Sequence, residues 1–314
     1  MLVINENKIA DFLKALEKEY KVYDNRQHPP YGGLTAKKYF FPPVEETFVS
    51  EKKGSLKTTK FAEKFVVFGL SIPQLEALTY LDEIMTKPAE DFFYWQRRGN
   101  SIVVGLIKEE PDALPGGDIV FVDLGDGNFK ILKNTEKGEE LIKKYKSYFA
   151  EVADAPSKVT DPGMSEWSKT MRDILLDAEL LANAVEWSKN HKIWEEMATT
   201  CLGCGVCTYV CPICHCFSVE DKIDLTGKCS RCRKWDACTL PDFAKIAGGH
   251  DFRPTIKERY YNWFYHKFVR GYKEYGKPQC VGCGHCKKYC PASIDILEIL
   301  KTILGDYKKS QIQI

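Results

Sequence analysis

The residues that could do chemistry begin with Cys201-Leu-Gly-Cys204-Gly-Val-Cys207-Thr-Tyr-Val-Cys211-Pro212. The spacing is C-x2-C-x2-C-x3-C-P, the run that wraps a [4Fe–4S] cubane in bacterial ferredoxins. A cubane takes four thiolates at its corners. Three come from one tight loop, which Gly203 and Gly205 allow to curl, and the proline after the fourth turns the chain away. The same spacing recurs unchanged at Cys280-Val-Gly-Cys283-Gly-His-Cys286-Lys-Lys-Tyr-Cys290-Pro291. Where two such runs occur, the fourth cysteine of each ligates the other run's cluster. The predicted sets are therefore Cys201, Cys204, Cys207 and Cys290 for one cluster, and Cys280, Cys283, Cys286 and Cys211 for the other. Structural zinc sites also use C-x2-C pairs, but they rarely need a third cysteine at x2 and a fourth before proline.

Five more cysteines stand between the two runs: Cys214, Cys216, Cys229, Cys232 and Cys238. They form a candidate third metal site, iron–sulfur or zinc. Cys214-His-Cys216 would supply two ligands and two of the later three the rest. The plain alternative is a group of buried free thiols, because cysteine packs as a small hydrophobe. Five candidates for four positions leave the ligand choice open. Lys228, Arg231, Arg233, Lys234 and Arg253 surround this insert. Cations beside an anionic cubane would raise its potential, although a basic turn is more often simply solvated. His215, His250 and His266 read as hydrogen-bonding or core residues, since the cubane loops already have full cysteine sets. Tyr260-Tyr-Asn-Trp-Phe-Tyr265 suggests a redox relay on one reading and ordinary core or interface packing on the commoner one. There is no G-x-G-x-x-G, no phosphate loop and no nucleophile or zincin motif, so no catalytic residue is expected.

The elements that must position these residues fall into two regions. The chain has 314 residues, enough for two domains, and its 44% hydrophobic content is that of a globular protein. Residues 1–155 read as one α/β docking domain. Met1 to Leu16 reads as an amphipathic helix. His28–Gly33 and Tyr39–Pro43 read as irregular, because paired prolines disfavour regular structure. Lys64–Leu70 and Ser101–Ile107 read as strands, with a helix from the cap Ser71 through Leu75, Leu78, Leu81 and Ile84 between them. Asp118–Asp123 and Asn128–Leu132 flank Gly125-Asp-Gly127 as a hairpin. Thr135–Phe149 reads as a charged helix. Residues 156–163 are the expected linker, rich in Pro, Ser, Thr, Asp and Gly. Residues 164–314 read as a mainly α-helical dicluster ferredoxin domain with a Cys-rich insert at 214–238. Helical spacing marks Met171–Trp187, Ile256–Tyr275 and a closing helix at Ile294–Leu304. The fold class is α+β.

Composition bounds the function. A net charge of +1 gives no support for nucleic-acid binding. No apolar run approaches the ~18 residues of a membrane span, and the N-terminus lacks a signal-peptide pattern. Thirteen cysteines, none before Cys201, in a chain without an export signal point to a reducing cytoplasm and metal ligation. Lysine outweighs arginine before Lys228, a weak thermophile signature.

Several motifs follow one another in an order shared with a known family. They are the first cysteine run with Pro212-Ile-Cys-His-Cys-Phe217, then Arg233-Lys-Trp-Asp-Ala-Cys238, Gly248-Gly-His-Asp-Phe-Arg253, His266-Lys-Phe268 and the second cysteine run. The chain resembles the iron–sulfur (beta) subunit of cytoplasmic sulfhydrogenases and the corresponding iron–sulfur subunit of anaerobic sulfite reductase. The match is close in the C-terminal half. It is looser in the N-terminal half, carried by Tyr39-Phe-Phe-Pro-Pro43, the strand ending in Phe68-Gly69 and the Gly125-Asp-Gly127 hairpin. Where family members often carry cysteines, this chain has Glu109-Glu-Pro-Asp-Ala-Leu-Pro-Gly-Gly117. Cys229 and Cys232 look like additions, so the resemblance favours Cys214, Cys216 and Cys238 as the shared part of any third site. It implies an electron conduit in a hetero-oligomer. On one side would stand a flavin-containing NAD(P)H (or ferredoxin) subunit, on the other a catalytic subunit, either a nickel–iron hydrogenase or a sulfite reductase. The rival readings are a self-contained oxidoreductase whose N-terminal domain binds flavin or substrate, and an assembly protein merely braced by metal.

Overall fold

A computed structural model describes residues 1–26, 35–50, 55–108, 116–153 and 165–312. The expected linker at 156–163, the His28–Gly33 stretch and most of the 109–117 loop lie outside them. The strands, in chain order, are β1 (Leu2–Asn5), β2 (Lys21–Asp24), β3 (Val44–Ser50), β4 (Leu56–Thr58), β5 (Phe65–Leu70), β6 (Ser101–Ile107), β7 (Ile119–Asp123), β8 (Asn128–Lys133), β9 (Ala150–Glu151), β10 (Phe217–Ile223) and β11 (Cys229–Trp235). The chain divides into two compact units, Met1–Phe41 with Lys60–Met164, and Pro42–Thr59 with Ser165–Ile314.

The first unit is built on a seven-stranded sheet in the order β2-β5-β6-β7-β8-β1-β9. β2, β5, β6 and β7 are parallel, while β8, β1 and β9 join antiparallel. Parallel strands covered by helices on both faces are apolar throughout rather than alternating, which is the pattern of Phe65-Val-Val-Phe68 and Ser101-Ile-Val-Val-Gly105. One face packs Phe12 of helix Glu6–Leu16 and Leu141 of helix Glu136–Lys144 against Val66, Phe68, Val104 and Phe121. Helix Ile72–Ile84 begins where the sequence signals it. Ser71 and Gln74 form a reciprocal capping box, with Pro73 inside the first turn. The N-terminus differs from expectation. Leu2-Val-Ile-Asn5 is not helical but slots between β8 and β9, and Asn5 then caps the helix by accepting from Asn7 N at 3.1 Å. The prolines of Tyr39–Pro43 likewise do not keep Tyr39 and Phe40 irregular, because both finish a short helix at Lys37–Phe40.

The second unit is mainly helical but also carries an antiparallel sheet, in the order β10-β11-β3-β4. Its strands come from both ends of the sequence. Residues 42–59, expected within the first domain, instead cluster with the C-terminal half. The Cys-rich insert at 214–238 is largely the β10–β11 hairpin, turned at Asp224, whose carboxylate accepts from Thr226 N and Lys228 N. Arg233 of β11 is locked to Glu45 of β3 by a 2.6 Å ion pair, with side chains 5% and 6% exposed. Removing one partner of such a pair strands the other as a buried charge, at about 3–5 kcal/mol. Glu45→Ala is therefore expected to destabilise this unit by about 3 kcal/mol. The double variant Glu45→Leu/Arg233→Met is expected to lose far less. Equal losses in anaerobic denaturant titrations of the two would show that the pair is not what matters.

The helical core of this unit centres on Trp194, which meets Phe264 and Tyr261 edge-to-face at centroid distances of 4.9 and 5.2 Å. The aromatic segment after the capping box of Thr255 and Glu258 runs as helix Ile256–Phe264, a π-helical turn Tyr265–Arg270 and helix Gly271–Tyr275. The chain closes with helix Ile296–Ile312.

Candidate metal centre

Helix Ile193–Thr200 delivers the chain to Cys201, whose N–H still bonds Met197 O at 2.8 Å. The loop then turns through Gly205 at φ +76° into the short helix Val206–Tyr209, ending at Cys211. The second run does the same through Gly284 at φ +73° into helix His285–Lys288, ending at Cys290. A side chain at Gly205 would need a left-handed backbone that L-residues avoid, and its Cβ would sit 2.9 Å from that of Ala237. The two short helices pack against each other, so each carries its last cysteine to the other loop.

Two cavities result. Cys201, Cys204, Cys207 and Cys290 line the first, with Thr239, Tyr260 and Trp263. Cys211, Cys280, Cys283 and Cys286 line the second, with Trp167, Trp263 and Lys267. Cys286 also reaches the wall of the first, so the nests are neighbours. Burial, then the facing Cys201 and Cys204, pushes the Cys207 thiol up to about 12. Burial, then Cys211 and Cys280, does the same to Cys283. Thiols so buried and crowded keep their protons until a cation replaces them, and the iron of a bound cluster would supply that charge.

The surroundings fit an iron–sulfur cubane. Gly203 N points at Cys201 Sγ and Ile294 N at Cys290 Sγ, both at 3.4 Å, as donors to ligand sulfur do. Trp263 Nε1 and Thr239 Oγ1 are buried without a protein partner, on residues that line the nests. Buried donors of this kind are costly unless something accepts from them, and inorganic sulfide is an acceptor.

Lys267 is the residue that sequence reasoning missed. Its Nζ lies 3.3 Å from Cys211 Sγ and 2.7 Å from Gln279 O, with the residue 4% exposed. Burial pulls its pKa down, but Cys211, Cys214, Cys280 and Cys286 more than offset that and hold it well above the ordinary lysine value. Only the His266-Lys-Phe268 motif signalled it. The basic residues singled out in sequence mostly serve the hairpin instead. Arg231 pairs with Asp221, Lys234 with Glu220 and Arg233 with Glu45.

The five remaining cysteines separate. Cys214 lies against Cys211, and Cys216 against Cys238. Cys229 and Cys232 are three residues apart on a strand whose pairing with β10 is unbroken. Their side chains therefore point to opposite faces, Cys229 exposed and Cys232 buried, and the two do not meet at one metal. Among the described residues, no three His, Cys, Asp or Glu side chains close on one point as a single zinc ion requires. The cubane nests are wider by nature, since four thiols surround four irons. His266 is held neutral, mainly by burial and then by His215, with its pKa lowered to about 3. The Tyr260–Tyr265 run packs the core, while its Trp263 also walls both nests.

Comparison with known proteins points to iron–sulfur clusters in the same part of the chain. Residues 200–294 match the 4Fe-4S dicluster domain family. Over 286 residues the chain is 30% identical to sulfhydrogenase 2 subunit beta of Pyrococcus furiosus, covering 86% of this chain and 83% of that protein. The chain belongs to the sulfhydrogenase beta-subunit family. No solved structure matched. Members of this family are iron–sulfur proteins of electron transport, and the dicluster match spans the eight cysteines that line the two cavities together with the five between them. No helix among the described residues is long and apolar enough to cross a membrane.

Proposed function

We propose that this chain is the electron-relay subunit of a cytoplasmic multi-subunit oxidoreductase. It passes single electrons between a flavin NAD(P)H (or ferredoxin) subunit on one side and, on the other, a catalytic subunit such as a nickel–iron hydrogenase or a sulfite reductase. The observation that carries the reading is the pair of adjacent four-cysteine nests, each closed by the last cysteine of the other run. Cys201, Cys204, Cys207 and Cys290 hold one [4Fe–4S] cluster, and Cys280, Cys283, Cys286 and Cys211 hold the other. When bound, the clusters supply reversible one-electron chemistry; the chain supplies burial, fixed spacing and hydrogen bonds to sulfur. The relative's name as a sulfhydrogenase subunit favours a hydrogenase partner. The N-terminal domain, read in sequence as residues 1–155, serves as the docking body. A third site would draw on Cys214, Cys216 and Cys238, of which Cys216 and Cys238 lie against each other while Cys214 lies against Cys211.

Iron, acid-labile sulfide and zinc per chain, with an electron paramagnetic resonance (EPR) spectrum after dithionite, test this on anaerobically purified protein. About eight irons and no zinc are expected for two cubanes, and about twelve if the third site is also a cubane. About eight irons with one zinc would make the third site a structural clip. Zinc without iron, and no signal on reduction, would sink the relay. Flavin absorbance in the isolated chain would favour a self-contained enzyme.

A further inference from the structure

The two nests are built from the same cysteine spacing but are not electrostatically alike. At the second nest an ammonium touches a ligand sulfur, Lys267 Nζ to Cys211 Sγ at 3.3 Å. The contact is held from both sides. Lys267 Nζ donates to Gln279 O, and Gln279 N donates to Lys267 O, both at 2.7 Å, directly before Cys280. The lysine stands in a π-helical turn, a rare geometry often found at functional sites, which sets it between the two cysteine runs. At the first nest Cys201 and Cys290 accept instead from the backbone N–H groups of Gly203 and Ile294. The buried Arg259 acts on Cys201 through space, but it touches no ligand sulfur and directs its guanidinium to the carbonyls of Thr239, Arg253 and Pro254 at 2.7–3.1 Å.

We propose that Lys267 is a tuning residue that makes the second nest, the one closed by Cys211, the more easily reduced of the two. The couple gains one electron and no proton. The reduced form carries one more negative charge than the oxidised form. A fixed ammonium beside a ligand sulfur, in a dry site, therefore favours the reduced form and raises the potential. Backbone donors at the first nest carry no net charge and shift it less. An electron shared between the two nests then rests at the second. This inference depends on both nests holding [4Fe–4S] clusters.

The test is an EPR-monitored redox titration of the anaerobic full-length protein and of Lys267→Gln and Lys267→Arg. A Cys283→Ser variant assigns the step that belongs to the second nest. Lys267→Gln keeps a donor for Gln279 O and removes the charge. The equilibrium constant for reducing the second nest is expected to fall at least tenfold, about 59 mV for one electron, with the first step unmoved. Lys267→Arg is expected to stay near the native value at unchanged iron content. Full iron with unmoved potentials in Lys267→Gln would overturn the proposal. So would an equal shift in Lys267→Arg, because packing and not charge would then be responsible. Iron loss confined to Lys267→Gln would make the lysine a structural prop and also overturn it. A native protein that showed no one-electron step would fail the relay itself, a result distinct from these.

Discussion

Cys290→Ser is expected to strip the cluster held by the first cysteine run and to leave the second run's cluster in place. Cys290 follows Cys280, Cys283 and Cys286 in sequence, so a purely local reading predicts the opposite. The structure puts it on the wall of the cavity lined by Cys201, Cys204 and Cys207, and it acts on the charge of Cys201 and Cys207. A serine hydroxyl is a harder and far less acidic donor than a thiol, so the corner is left poorly ligated. Iron is expected to fall by about four per chain and one of two EPR signals to vanish. Cys211→Ser is expected to produce the mirror result. If Cys290→Ser abolished only the signal assigned to Cys280, Cys283 and Cys286, cross-ligation would be wrong.

The second large effect belongs to the scaffold. Trp194 is fully buried, meets Tyr260, Tyr261 and Phe264 edge-to-face, and donates from Nε1 to Ser188 O at 2.6 Å. Trp194→Ala leaves a cavity and removes one of the two hydrogen bonds to Ser188 O, which keeps that from His191 N, and large-to-small changes of this kind cost about 3–5 kcal/mol. Against a whole-domain stability of roughly 5–15 kcal/mol, that is a large fraction. Trp194 sits on the helix that runs into Cys201, so iron is expected to leave the first nest at lower denaturant than in the native protein. An anaerobic denaturation monitored by tryptophan-independent circular dichroism and by cluster absorbance reads both. A loss below about 1 kcal/mol would mean that the site collapses around the gap, against this account.

Much of the local structure is legible in the sequence because its causes are local. The helix cap at Ser71 and the Gly125-Asp-Gly127 hairpin are short-range chemistry, and each stands where the residues announce it. The apolar runs of β5 and β6 read as buried strands for the same reason. The pairing of β3 with β11 is not legible. Neither strand's alternation names a partner so far along the chain, and the buried Arg233–Glu45 pair exists only once the two meet. Leu2–Asn5 departs from its expected helix for a related cause. Val3 and Ile4 are β-branched and favour a strand, and β8 and β9 offer hydrogen bonds on either side.

What the sequence alone determined is the chemistry of the two cysteine runs. Ligand type, loop curvature and the order of residues around each loop are properties of a dozen consecutive positions. What only the tertiary structure decided is how those runs differ and what lies beside them. It separates Cys229 from Cys232 by the two-residue period of a strand. It strands Trp263 Nε1 between the nests and brings Lys267 to Cys211. A cation's effect on a cluster depends on distance and on the exclusion of water, and both are set by packing between segments that the sequence keeps far apart.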